Sequence, residues 1–215
     1  FDWVHNWELA SGCIRGVLEK TGIDPKELAA ISTTCMREGI VLYNAAGQEI
    51  WACANVDARS EDEVVELIRQ NPEMEKEIYL ESGQTYALSA LPRLLWLKNK
   101  VPELYEKTAA VGMFNDWLIY KLTGVLAVEP SNGSTTGIFD LQKRDWDPSI
   151  AEKCGLRTDI FTEVTKGGKV VGSVSEEAAK QTGLAAGNPV VKGGGDAQLG
   201  CVGVGVVSPG QAAVF

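Results

Sequence analysis

The sequence predicts an α/β fold, and three observations support this prediction. Short apolar runs with the character of buried strands alternate with segments whose apolar residues recur at helical spacing. Glycines and Asp-Pro pairs stand at many of the junctions, where helices begin or end. The chain has 215 residues, 45% of them hydrophobic, so it can bury a sizeable core. This length fits one large domain or two small ones, and the alternation favours layers of helices on a sheet.

Each predicted helix has an apolar face and a capping residue or glycine at one end. The predicted helices cover residues 7–20, 60–68, 89–100, 115–122, 147–154 and 175–182. The predicted strands cover residues 28–34, 39–43, 48–52, 108–113 and 190–192, and a further apolar run covers 202–207. Ser60 and Glu63 have the spacing of a capping box. Residues 71–84 and 130–137 are polar and are predicted to be irregular.

The charge balance excludes two classes of partner. The chain has 20 basic and 29 acidic residues, a formal net charge of -9. A protein that binds nucleic acid needs a basic surface, and a net negative charge disfavours an anionic membrane. No apolar run has the length of a membrane-spanning helix, and no signal peptide opens the chain. Small molecules and other proteins remain as partners.

The cysteine pattern predicts a reduced, cytoplasmic protein without a zinc site. The five cysteines are Cys13, Cys35, Cys53, Cys154 and Cys201. Their number is odd, their spacings are wide, and the chain has a single histidine. A zinc site would need thiolates and imidazoles at a recognisable spacing. We therefore interpret the cysteines as thiols, mostly buried, and predict no protein-built metal site.

The sharpest local signal is a strand that runs into three glycines and a carboxylate, Gly193, Gly194, Gly195 and Asp196. Glycines let a ligand approach the backbone, and ligands bind at the carboxyl ends of strands in open α/β sheets. A carboxylate there can accept a proton from an attacking hydroxyl. The alternative is that Asp196 only caps a helix. The segment fits neither the GxGxxG fingerprint nor the P-loop.

Two further polar groups follow predicted strands. Arg37 and Glu38 can donate and accept hydrogen bonds to a polyol, or they can form a solvated turn. Asn55, Asp57 and Arg59 stand at alternate positions, so an extended segment would place them on one face. Their alternative is a surface ion pair in a loop.

Taken together, five segments give the chain a resemblance to the FGGY carbohydrate kinases over essentially its whole length. These segments are CMRE at 35–38, NVDAR at 55–59, DWLIYKLTG at 116–124, SNGSTTGIFD at 131–140 and GGGD at 193–196. The resemblance implies an actin-like fold built on a ribonuclease-H-like core. Residues 1–215 would then be the N-terminal domain, which binds the sugar or polyol substrate.

The resemblance also implies a role for each candidate residue. Asp196 is expected to be the general base of phosphoryl transfer. The expected substrate-binding residues are Arg37, Glu38, Asn55, Asp57, Arg59 and Gln198. The expected cofactor-binding residues are Gly193, Gly194 and Gly195. The cofactors of the full-length protein would be ATP and Mg²⁺.

The expected substrate is a small hydroxylated carbonyl compound. Segments 36–44, 50–59 and 89–97 are most similar to family members that phosphorylate autoinducer-2, the open-chain 4,5-dihydroxy-2,3-pentanedione. Asn55 stands where many members have Trp, and Arg93 stands where the family signature has Lys. These departures concern the pocket rather than the fold. Xylulose, glycerol or another polyol is the alternative substrate, and a ligand-binding or regulatory module without catalysis is the alternative function.

Two parts of the family pattern are not found in this chain. We find no Asp-x-Gly-Thr phosphate loop before Trp3, so the domain is expected to be truncated at its N-terminal phosphate hairpin. The ATP-binding C-terminal domain is expected to be absent after Phe215. We therefore expect this fragment to be inactive alone, and residues 212–215 to be a core strand. A homodimer is among the oligomeric states that the sequence leaves open.

Overall fold

The structure, a computed structural model, describes residues 1–214. The chain contains three consecutive strands, then four consecutive helices, and single strands and helices alternate from Pro148 onward. In chain order they are α1 (Trp3–Thr21), β1 (Ile31–Cys35), β2 (Ile40–Tyr43), β3 (Glu49–Cys53), α2 (Glu61–Gln70), α3 (Met74–Ser82), α4 (Leu91–Lys100), α5 (Pro102–Lys107), β4 (Ala110–Met113), α6 (Phe114–Thr123), α7 (Pro130–Gly133), β5 (Phe139–Asp140), β6 (Asp145–Trp146), α8 (Pro148–Lys153), β7 (Val170–Ser173), α9 (Glu176–Thr182), β8 (Pro189–Gly195) and α10 (Asp196–Gly203). The predicted α/β class is confirmed.

Two three-stranded sheets form the centre of the fold. In one sheet the order is β1-β8-β7, with β1 parallel to β8 and β7 antiparallel to it. In the other sheet the order is β3-β2-β4, and both pairings are antiparallel. The short strands β5 and β6 pair with each other.

The middle strand β2 explains how the helices are divided into two layers. All four residues of β2 are buried, and successive side chains of a strand point to opposite faces. Ile40 and Leu42 lie in a core that includes residues of α2, α3, α4, α5 and α8. Val41 and Tyr43 lie in a second core with residues of α1, α6, α9 and β8. An uninterrupted apolar strand is therefore required here.

Two predicted irregular segments contain regular structure. Helix α3 lies within 71–84, and Met74, Ile78 and Ser82 are its buried residues. These positions are four residues apart, which is helical spacing, but the polar residues between them obscure it. Segment 130–137 contains α7 and a 3₁₀ turn at Ser134–Thr136. Helix α5 was not predicted, and the Ser60 side chain makes no capping hydrogen bond to α2.

The C-terminal apolar run also differs from expectation. Residues 202–207 form no strand, because the chain turns from β8 directly into α10, and no described strand pairs with them. Residues 212–214 are not in a strand either, and Val214 is 99% exposed. The prediction of a core strand is wrong for these residues, and Phe215 lies outside the described part of the chain.

A buried ion pair attaches α6 to β8. The Lys192 ammonium lies 2.5 Å from Asp116 Oδ1, and both side chains are inaccessible to solvent. Lys192 also donates to the Ala127 carbonyl, and Asp116 Oδ2 accepts from the Met113 N–H at 2.8 Å. Burial raises the pKa of the Asp116 carboxyl, and the Lys192 charge opposes this shift. The pair fixes the strand that leads to Gly193.

Replacing Lys192 by Met should destabilise the protein by about 3–5 kcal/mol, because it leaves Asp116 buried without a cation. The free energy of unfolding in urea measures this effect. The control is Lys180→Met, which removes an exposed pair with Glu177 and should cost less than about 1 kcal/mol. Equal urea midpoints for the K192M variant and the wild type would contradict the prediction.

Candidate active site

The parallel pairing of β1 and β8 brings the two most informative sequence segments together. Cys35, the last residue of β1, lies opposite Gly195, the last residue of β8. The Thr34 hydroxyl donates to the Gly194 carbonyl at 3.0 Å, which strengthens the pairing near this end. Since both strands run in the same direction, the residues that follow them emerge at the same edge of the sheet.

Arg37 and Asp196 meet at this edge. Arg37 Nε lies 3.6 Å from Asp196 Oδ1, with the side chains 38% and 53% exposed. Gly195 occupies the N-cap position of α10, so Asp196 is the first helical residue rather than the cap. Its Oδ1 accepts from the Ala197 N–H at 2.8 Å, whereas Oδ2 receives no hydrogen bond within residues 1–214. The carboxylate is therefore held in place and still accessible.

Glu38 is held in an uncommon conformation. Its φ is 68°, in the left-handed region that non-glycine residues rarely adopt, and the residue is only 6% exposed. Its Oε1 accepts from Gln84 Nε2 at 3.3 Å. Strain of this kind persists only where the surroundings hold it, and it is often found at functional sites.

A cleft of about 730 Å³ opens beside these residues. Arg37 and Gln198 of the predicted site line it. Polar residues that were not predicted as site residues also line it, among them Gln84, Glu129, Ser131, Arg144 and Lys166. Ser131 belongs to a segment that carries the family resemblance, so its position could have been anticipated. Gln84 and Lys166 stand in segments with no such signal.

The three glycines are explained by close packing around β8. A Cβ on Gly193 would lie 1.7 Å from the Thr33 carbonyl oxygen, so only glycine fits between β1 and β8. A Cβ on Gly194 would meet the Ser131 hydroxyl at 2.8 Å and Glu129 at 2.9 Å. A Cβ on Gly195 would meet Gln198 Oε1 at 2.6 Å and the Arg37 side chain at 3.0 Å. Neighbouring protein atoms therefore lie where these side chains would be.

The Asn55–Arg59 segment has the second of its two predicted arrangements, a loop that contains an ion pair. It forms turns between β3 and α2, so its side chains do not alternate as in an extended strand. Arg59 donates to both carboxylate oxygens of Asp57 at 2.8 and 2.7 Å, and this bonding lowers the pKa of Asp57. The Arg59 guanidinium also lies over the rings of Trp51 and Trp96, 5.4 and 5.0 Å from their centroids. In the described structure, the 730 Å³ cleft is lined by none of Asn55, Asp57 and Arg59.

A metal site needs several ligand side chains close together. Within residues 1–214, no three His, Cys, Asp or Glu side chains cluster as a metal site would need. Mg²⁺ that accompanies a nucleotide keeps several waters and phosphate oxygens and needs only one or two carboxylates. Glu129 is a carboxylate of the right type that lines the cleft, and Asp196 is another, next to the cleft residue Arg37. Among the helices of residues 1–214, none has both the length and the apolar character needed to cross a bilayer.

Residues 2–203 match the FGGY family of carbohydrate kinases, N-terminal domain. The chain belongs to this family, which confirms the resemblance seen in its motifs. Over its whole length it is 53% identical to the autoinducer-2 kinase of Escherichia coli (strain K12) and 52% identical to that of Klebsiella pneumoniae. The chain spans 41% of the length of these relatives.

Solved structures confirm the expected fold. Xylulose kinase from Rhodospirillum rubrum superposes with a TM-score of 0.89 at 23% identity, over 97% of this chain and 43% of that one. Plasmodium falciparum glycerol kinase with ADP gives a TM-score of 0.77 at 21% identity, over 90% of this chain and 40% of that one. These likenesses establish the actin-like, ribonuclease-H-like architecture of sugar kinases.

Alanine substitutions in the glycine run should separate folding from function. Gly193→Ala should destabilise the protein by about 3 kcal/mol or more, because its Cβ has no space beside backbone atoms. Gly195→Ala should fold, because its Cβ meets the flexible side chains of Gln198 and Arg37, but it should displace them from the cleft. Thermal unfolding and ligand titration measure the two effects. Equal stability of the two variants would contradict this assignment.

Proposed function

We propose that the intact protein phosphorylates a hydroxyl of a small hydroxylated carbonyl compound with ATP, and that its substrate is open-chain autoinducer-2. The observation that carries the proposal is the approach of Arg37 to an accessible Asp196 at the edge of a polar cleft. The 53% identity to autoinducer-2 kinases over the whole chain supports this choice of substrate.

In this proposal Asp196 is the general base. Its free Oδ2 accepts the proton of the substrate hydroxyl while that oxygen forms its bond to phosphorus. ATP supplies the phosphoryl group when bound, and ADP leaves with the electron pair of the broken P–O bond. Arg37, whose Nε lies 3.6 Å from Asp196 Oδ1, orients the carboxylate. Positioning of this kind supplies most of the catalysis in phosphoryl transfer.

The substrate is bound by donors that line the cleft and by an acceptor beside it. Arg37 and Gln198 can donate to substrate oxygens, and Glu38 can accept from substrate hydroxyls. Gln84 bonds to Glu38 and lines the cleft, so we add it to the substrate-binding residues. We retain Asn55, Asp57 and Arg59 as residues on the substrate side. Their support is the family resemblance, together with the buried contact from Arg93 described below.

The chain spans 41% of the length of its relatives, and this leads us to assign substrate binding and ATP binding to different parts of the intact protein. We propose that residues 1–215 form the substrate-binding domain and that ATP and Mg²⁺ are bound mainly by other parts of the intact protein. We keep Gly193, Gly194 and Gly195 as cofactor-binding residues on the family resemblance alone, since protein atoms fill the space beside them. On this view the 215-residue chain alone does not turn over ATP. A cytoplasmic location follows, where ATP is available and thiols stay reduced.

A substrate panel on the intact protein tests the function. Phosphorylation is measured with ATP and Mg²⁺ on autoinducer-2, xylulose and glycerol, and kcat/KM should be highest for autoinducer-2. Phosphorylation of xylulose but not of autoinducer-2 would favour xylulose as the substrate. Calorimetric binding of one of these ligands without phosphorylation of any would favour a binding or regulatory module.

Replacing Asp196 by Asn should lower kcat by about 10²–10⁴-fold, because the amide cannot accept the proton. The melting temperature should stay close to that of the wild type, since Asp196 is exposed. Steady-state kinetics of the intact protein measures the loss. Asp62→Asn is the control, an exposed acidic residue in the first turn of α2. A D196N variant with more than about a tenth of wild-type kcat would exclude Asp196 as the base.

A further inference from the structure

Arg93 is a buried cation with no carboxylate partner. It lies in the first turns of α4 and is only 2% exposed. Within residues 1–214, no acidic side chain forms an ion pair with it. A buried charge is costly unless hydrogen bonds compensate it. The groups that accept hydrogen bonds from this guanidinium therefore indicate the role of Arg93.

The partners are backbone carbonyls of the two candidate substrate segments. Arg93 Nη1 donates to the Glu38 carbonyl at 2.8 Å, and Nη2 donates to the Asn55 carbonyl at 2.7 Å. Weaker contacts join Nε to the Asp57 carbonyl at 3.5 Å and Nη1 to the Ser89 carbonyl at 3.4 Å. One planar group thus links the loop after β1, the loop after β3 and the start of α4.

The contact with Glu38 has a particular consequence. The backbone at Glu38 is left-handed, and this conformation needs to be held by its surroundings. Next to it, Gly39 is confined by the ring of Phe114, which a Cβ would meet at 2.8 Å. Arg93 holds the carbonyl between these two residues. The direction of the Glu38 side chain toward Gln84 therefore depends on the guanidinium.

We infer that Arg93 is a positioning residue, which fixes the backbone of Glu38 and of the Asn55–Asp57 loop relative to each other and so holds Glu38 in its contact with Gln84, a residue of the cleft. Its kinetic consequence rests on the function proposed above. Lysine cannot replace it, because a single ammonium cannot reach separate carbonyls with the spread of a guanidinium. The family signature has Lys at this position. The hydrogen bonds described here therefore depend on the Arg that this chain has instead.

Arg157 is a matched control for a purely structural role. Its guanidinium also donates to three backbone carbonyls, those of Tyr105, Glu106 and Thr108, at 3.4, 3.2 and 3.0 Å. It pairs in addition with Asp159 at 2.8 Å. None of these contacts involves a candidate site residue. Arg93→Lys and Arg157→Lys therefore both remove hydrogen bonds from a guanidinium to backbone carbonyls. Only Arg93→Lys removes such bonds to candidate site residues.

Hydrogen–deuterium exchange of the intact protein provides a test that does not depend on activity. In the R93K variant, amides of residues 37–40 and 55–59 should exchange at least about fivefold faster than in the wild type, because their carbonyl anchor is lost. The R157K variant should leave these amides unchanged. If the R93K variant folds and these amides exchange at the wild-type rate, the inference is overturned. Failure of R93K to fold where R157K folds would also overturn it, since Arg93 would then be a general stability residue.

Kinetics provides the second test. R93K should raise KM for the phosphorylated substrate by about tenfold and change kcat by less than about threefold, because Asp196 lies on the strand end that Arg93 does not touch. Arg93→Gln should raise KM further, and R157K should leave KM within about twofold. An unchanged KM in R93K, or an equal rise in R157K, would overturn the inference. If the wild type phosphorylates no substrate of the panel, the proposed function fails, and the exchange experiment alone decides the role of Arg93.

Discussion

The parallel contact between β1 and β8 is the constraint on which the candidate site depends. At Gly193 the two backbones approach so closely that a Cβ would lie 1.7 Å from the Thr33 oxygen. This close approach sets the register in which Cys35 faces Gly195. The register in turn places Arg37 within 3.6 Å of Asp196. Directly before the glycines, the buried Lys192–Asp116 pair fixes β8 to α6, so the end of the strand that leads to Asp196 is anchored.

Sequence alone predicted the parts of this arrangement that depend on local patterns. The α/β class followed from alternating periods, and the glycine run with Asp196 indicated a strand end suited to a ligand. The motif order identified the family and hence which strand ends belong together. Helix α3 was missed because only Met74, Ile78 and Ser82 face inward, and polar residues dominate the segment. Residues 202–207 have strand composition, but composition cannot show that no neighbouring strand pairs with them.

The contacts that sequence could not predict are those of long side chains with distant backbone. Arg93 was noted only as a departure from the family signature, whereas the structure gives it bonds to carbonyls 36 to 55 residues away. Gln84 stood in a segment without a motif, yet it bonds to Glu38. For Asp57 and Arg59 the sequence left open an alternating face or an ion pair in a loop; the structure has the ion pair, stacked on two indole rings that the sequence did not indicate. Such contacts depend on the path of the chain between helices and strands, and secondary-structure propensity does not determine this path.

The site therefore has two halves that are held by different physical means. Asp196 is placed by a sheet whose close packing at Gly193 tolerates little change. Glu38 and Asn55 are placed by a guanidinium that bonds only to their carbonyls. Every amino acid has this carbonyl, so the side chain at position 55 can change without loss of the bond. A substitution at position 55 therefore leaves both the Arg93 contact and the β1–β8 pairing in place, so the two halves can change independently.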